Sequence, residues 1–134
     1  MREIIIAFVM MLCAACVASA ANYLTFTAEE DSSSFGIVNA GNNPDVQYSL
    51  DDGETWIALA EGDTVVLVHK GDKALLKGVN PEGVSRDGQR STFKMTGKVA
   101  ASGSLMSLID GTGLATEIPG YACFDQLFIG CTSL

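Results

Sequence analysis

Apolar and polar residues alternate along this chain in short runs, separated by breaks rich in glycine, asparagine and aspartate. Tyr23 to Ala28 reads Y-L-T-F-T-A, with Leu24, Phe26 and Ala28 on one side and Tyr23, Thr25 and Thr27 on the other. That period of two predicts a first strand. Phe35 to Val38 predicts a short second strand, and the turn formers Asn39 to Asp45 end it. Val46 to Leu59 alternates on both sides of Asp51-Asp52-Gly53-Glu54, the strongest short-range hairpin signal in the chain. Thr64 to Val68 is nearly all β-branched and apolar, and predicts a central strand buried on both faces. Lys73 to Gly78 and Ser91 to Val99 predict two further strands, parted by the loop Asn80 to Gln89. Ala100 to Gly103 reads as loop, and Leu105 to Ile109 as either a last strand or a short helical turn. Strands at intervals of about ten residues, with turn chemistry between them, predict an all-β domain over residues 21–109. The expected form is a small antiparallel β-sandwich, Ig-like or similar.

The N-terminus breaks this pattern. Met1-Arg2-Glu3 precedes a continuous apolar run from Ile4 to Val17, and Ala18-Ser19-Ala20 follows. A charged start, a short apolar run and a small-x-small end predict a secretory signal peptide over residues 1–20. The run is shorter than the roughly 20 residues of an ordinary membrane span. Export, to the medium or the cell surface, is therefore expected. Cys16 after Ala14-Ala15 leaves a second reading, a lipid anchor at Cys16, although Cys13 stands where such sites carry leucine.

Charge narrows the partners. The 134-residue chain carries a formal charge of −8, and losing Arg2 with Glu3 leaves it unchanged. Its few lysines and arginines form no dense cluster, so no nucleic-acid partner is expected, because phosphate contacts need basic side chains. Cys123 and Cys131 are the cysteines that remain after residue 20. Export permits a disulfide between them. Their apolar surroundings favour buried thiols instead.

The hairpin contains a more specific pattern. Ser49-x-Asp51-x-Gly53-x-Thr55-Trp56 resembles the Asp-box of sialidases and other β-rich secreted proteins. Asp51 is suited to accept turn amides, Gly53 to take a positive φ, and Trp56 to bury its ring in the core. These roles are structural. The sialidase reaction needs an arginine cluster, a tyrosine nucleophile and a multi-bladed propeller. Two arginines, Arg86 and Arg90, remain after residue 20.

Other chemistry is sparse. His69 is the single histidine, and no G-x-S-x-G elbow accompanies it. Gly111-Thr112-Gly113 lacks the third glycine of a dinucleotide fingerprint. Asp51, Asp52 and Glu54 are clustered carboxylates of the type that bind calcium, but without the twelve-residue loop that would make them a recognised site, so a solvated turn is the expectation. No catalytic residue, metal site or cofactor is expected. Tyr48, Trp56 and Tyr121 are candidates for an aromatic sugar-binding platform.

The C-terminus changes character again. Residues 110–117, D-G-T-G-L-A-T-E, read as a linker, and residues 118–134 are dense in apolar side chains. This tail resembles the repeat unit of BspA-like leucine-rich-repeat surface proteins of anaerobic gut and oral bacteria. Ile118, Pro119, Cys123, Phe124, Leu127, Phe128, Gly130, Cys131, Thr132, Ser133 and Leu134 carry the likeness, above all the G-C-T-S-L ending. The preceding β-rich region is similar to the N-terminal module of such proteins. The resemblance implies a non-enzymatic cell-surface module for adhesion or protein binding, with a host or bacterial surface protein or glycan as partner. A carbohydrate-binding accessory module is the alternative. The family stacks many repeats, and here one unit is present, with Phe124, Leu127 and Phe128 at helical spacing. Such a tail is expected to be separable from the β-domain and prone to association.

Overall fold

The computed structural model describes residues 21–40, 43–86, 88–120, 122–132 and 134. The apolar leader, the anchor residue Cys16, Tyr121 and Ser133 lie outside the described residues. The strands are β1 (Leu24–Ala28), β2 (Ser33–Ala40), β3 (Gln47–Ser49), β4 (Ile57–Ala58), β5 (Thr64–Leu67), β6 (Lys73–Lys77), β7 (Ser91–Thr96) and β8 (Val99–Ser102). One short helix, α1 (Ser107–Asp110), follows them. The protein is all-β, with its strands in two antiparallel sheets. One has five strands in the order β4-β3-β6-β1-β8, and the other three in the order β5-β2-β7. Among the described residues no helix is long and apolar enough to cross a membrane.

Alternation decides which side chains meet between the sheets. Leu24, Phe26 and Ala28 of β1 are buried, as are Ala74 and Leu76 of β6. From the smaller sheet come Phe35, Ile37, Val65, Leu67 and Phe93. Phe26 meets Phe35 and Phe93 edge-on, with ring centroids 5.2 Å apart in both pairs. This geometry aligns the positive ring edge with the negative face of its neighbour. Most ladders join strands far apart in sequence: β1 pairs with β6 and β8, and β2 with β5 and β7.

Three expectations change. Thr64 to Val68 is not a central strand. β5 lies at the edge of its sheet, with Val65 and Leu67 buried but Val66 and Val68 51% and 53% exposed. A β-branched run reports strand propensity and says little about position in a sheet. Ser91 to Val99 is two strands rather than one. The chain turns at Gly97-Lys98 and crosses from the smaller sheet to the larger, held where Ser33 Oγ accepts from Lys98 N at 3.1 Å. Ala100 to Ser102, expected as loop, pairs with Thr25 to Thr27 as the edge strand β8. Its small side chains gave no apolar signal. Leu105 to Ile109, left open between strand and helix, ends in α1. The Ser107 hydroxyl there is fully buried, accepting from Leu24 N and donating to Leu76 O, both at 2.9 Å.

Candidate binding surface

The turn after β3 is built from its own side chains. Ser49 is buried, and its hydroxyl donates to Asp51 Oδ1 at 2.7 Å and accepts from Gly53 N at 2.9 Å. Asp51 Oδ1 also accepts from Thr55 N at 2.8 Å, and Oδ2 accepts from the Thr55 hydroxyl. Asp52 and Gly53 take φ values of +61° and +91°. A glycine at the second of these positions avoids the steric cost that a Cβ would carry. The bonds favour the ionised carboxylate. The Thr55 hydroxyl, the Thr55 amide and then the Ser49 hydroxyl hold Asp51 at about 2, below its ordinary 3.8. With its oxygens engaged inside the turn, Asp51 shapes the chain here. Asp52 and Glu54 are exposed.

Trp56 is not in the core. It follows Thr55 outside the β3–β4 ladder, so strand alternation does not direct it inward. Its ring is half-buried on the outward side of the larger sheet, edge-on to Tyr23 with centroids 5.1 Å apart. The Lys77 ammonium stands 4.2 Å from the Trp56 ring centroid, within cation–π range. Tyr23 also borders a shallow groove of about 430 Å³, together with Asn22, Thr25, Asp52, Leu75 and Ser102. An aromatic wall with an amide, a carboxylate and hydroxyls converging beside it is the chemistry of a polar small-molecule site. Tyr48, the second aromatic candidate, instead packs half-buried against the core, 6.0 Å from the Phe35 ring centroid. Tyr23 belongs to the patch although no role was expected for it. Its outward parity with Thr25 and Thr27 was the available signal.

The tail is part of the core. Cys123 and Leu127 are buried, and Phe124, Phe128 and Cys131 pack partly buried against the same cluster. Phe128 lies 5.7 Å from Phe93 and 6.4 Å from Phe26 between ring centroids. Ser85 N donates to Cys123 O at 2.9 Å, and Phe93 N to Leu127 O at 2.7 Å. Arg90 Nε reaches Asp125 Oδ2 at 2.7 Å. The tail therefore caps the free edge of β7 at Phe93. Gly83 permits the approach, because a Cβ there would collide with Cys123. The tail, for which the sequence leaves short helical or irregular structure open, is a run of turns, with Leu127 N bonded to Phe124 O and Ile129 N to Gln126 O. Gly130 has a φ of +76°, and Leu134 is exposed.

Residues 110–117 are likewise no slack linker. Partial burial raises the Asp110 carboxyl, but bonds from the Thr112 amide, the Gly113 amide, the Thr112 hydroxyl and the Ala115 amide outweigh it and hold Asp110 at about 2. Asn22 N donates to Thr112 O at 2.6 Å, tying the segment to the start of β1. Cys123 and Cys131 are free thiols. Burial pushes the Cys131 thiol up, and its Sγ lies 3.1 Å from Phe93 O. His69 is exposed at the end of β5. Among the described residues no three His, Cys, Asp or Glu side chains converge as metal ligands would.

No family model, curated protein or solved structure matches this chain.

Proposed function

We propose that this chain is an exported, non-enzymatic module of a bacterial cell-surface leucine-rich-repeat protein, used for recognition or adhesion. In this reading the domain is an Ig-like β-sandwich, and residues 118–134 are a repeat unit seated on its flank. One observation carries it. The tail buries Cys123 and Leu127 and packs Phe124, Phe128 and Cys131 partly buried against the β core, while Ile118, Ile129 and Leu134 remain 68%, 58% and 52% exposed. A unit with one apolar side on a folded domain and apolar residues left outside is what the first member of a stacked array requires. The immobilised chain is tested against arrayed glycans and extracellular-matrix proteins. Saturable binding to a member of either set is expected, and flat responses on both would overturn the reading.

A second reading, a carbohydrate-binding accessory module, is supported by the half-buried Tyr23, edge-on to Trp56, in the groove that Asp52, Thr25 and Ser102 also border. Aromatic rings next to hydroxyl and carboxylate groups suit the apolar face and the hydroxyls of a sugar. Glycan binding that vanishes in Tyr23→Ala, at an unchanged melting temperature, would favour it. Binding that survives the substitution excludes this groove.

A further inference from the structure

The sheet edges differ in how they are closed. The tail bonds β7 at Phe93 and β7 itself carries the charged Lys94, β4 has two residues, and β8 carries the short side chains of Val-Ala-Ala-Ser. β5 is different. Ser32 N donates to Val68 O at 2.9 Å, in the same register that pairs Ser34 with Val66 and Gly36 with Thr64. In an antiparallel ladder the hydrogen-bonded pairs alternate. The N–H and C=O groups of Val65 and Leu67 therefore point away from β2, along the open edge. Leu50, Val66 and Val68 are each about half exposed and border one groove of about 240 Å³ along that edge. Natural edges are protected by charge, proline or a bulge. Thr64 to Val68 contains neither charge nor proline, and the register irregularity of β2 lies on its β7 side.

We propose that β5 is a self-association edge, through which two copies of this chain pair antiparallel about a two-fold axis at Val66. The sequence complements its own reversal. Val66 lies opposite Val66 of the second copy, and Thr64 opposite Val68. Val65 lies opposite Leu67 on each side of the axis, where the two exchange both backbone bonds. Asp63 faces His69, and Glu61-Gly62 runs beside Lys70, so an acidic end meets a basic end. Both turns engage a carboxylate locally, Asp63 accepting from Ala60 N and Asp72 from His69 N, each at 3.0 Å, and Asp31 accepts from Lys70 N at 2.8 Å, so the charge complementarity rests on Glu61 and Lys70. The pairing stops where the turns begin, because Asp63 N is bonded to Ala60 O and His69 N to Asp72. The interface is isologous, and it joins the two three-stranded sheets into one continuous sheet.

Light scattering over a concentration series tests this. The purified chain is expected to approach twice its own monomer mass as concentration rises. Val66→Lys sets two ammonium groups opposite each other on the axis, and is expected to raise the dimer dissociation constant on the order of tenfold or more. Val66→Cys is expected to cross-link two copies under mild oxidation, since directly opposed residues bring their Cβ atoms to roughly 5 Å. Val79→Cys, at an exposed position elsewhere, serves as control, and the unsubstituted chain gives the background of Cys123 and Cys131. A monomer mass at every concentration, an undiminished dimer in Val66→Lys, or Val66→Cys cross-linking no faster than the control overturns the proposal. Should Val66→Lys fail to fold, the cysteine comparison decides alone.

Discussion

The turn at Ser49–Thr55 and the tail at residues 118–134 are held in opposite ways. Within the turn, Ser49, Asp51, Gly53 and Thr55 bond to one another across two to four positions in sequence. The tail is held from afar. Its bonds run to Ser85, Arg90 and Phe93, and its rings meet Phe26 and Phe93. A local motif closes its small loop at little entropic cost and can form early, whereas the tail gains its contacts only after the sheets exist. The difference teaches that a compact motif is not where most of the stability lies. The turn and Trp56 sit at the surface, while the tail contributes two buried side chains, Cys123 and Leu127.

The largest expected effect tests that division. Deleting residues 118–134 uncovers the β7 edge and leaves the space of Cys123 and Leu127 empty. A single buried Leu→Ala change costs about 2–5 kcal/mol, against a total of about 5–15 kcal/mol for a typical domain. The shortened chain is expected to lose its cooperative urea transition, and Leu127→Ala alone to shift the midpoint markedly. A shortened chain that melts like the full one would make the tail an accessory after all.

Ser107→Ala comes next. It leaves Leu24 N and Leu76 O without their shared partner in the interior, and loss of about 1–3 kcal/mol is expected in the same measurement. Trp56→Ala is expected to cost less, about 1 kcal/mol, because the half-buried ring gives up mainly its contacts with Tyr23 and Lys77. A Trp56→Ala loss as large as that of Leu127→Ala would reverse the comparison.

The smallest effect is a pH dependence. Asp51 and Asp110 titrate at about 2 in the folded chain against an ordinary 3.8. Depressed carboxyls favour the folded state above the unfolded value, and that contribution is lost as pH falls through the folded value. Melting temperature is therefore expected to decline from about pH 4 towards pH 2. Asp51→Asn should flatten part of that decline, leaving the part due to Asp110. An unchanged slope in Asp51→Asn would show that the turn bonds do not discriminate the ionised carboxylate.

How much of this was legible follows the same division. The alternation of Leu24, Phe26 and Ala28 placed β1 and its inward face, and the turn formers before Val46 and after Leu59 marked the breaks. The chemistry of Asp51 and Gly53 could be read because all its parts fall within one turn, whereas the bridging Ser49 hydroxyl came from the structure. The outward patch was half legible: Trp56 stood out as the chain's single tryptophan, while its partner Tyr23 lies more than thirty residues away.

By itself, the sequence determined what depends on neighbours along the chain: strand propensity, strand period and the turn that Asp51 stabilises. Tertiary structure decided what depends on which strands meet. It made β5 an edge although Val65, Val66 and Leu67 read as a buried run, and it recruited Ala100 to Ser102 as a strand through pairing with β1. It also seated Cys123, Leu127 and Phe128 of the tail against the β-domain. The reason is physical. A residue's burial depends on the surfaces that close over it, and for the edge and the tail those surfaces come from distant parts of the chain.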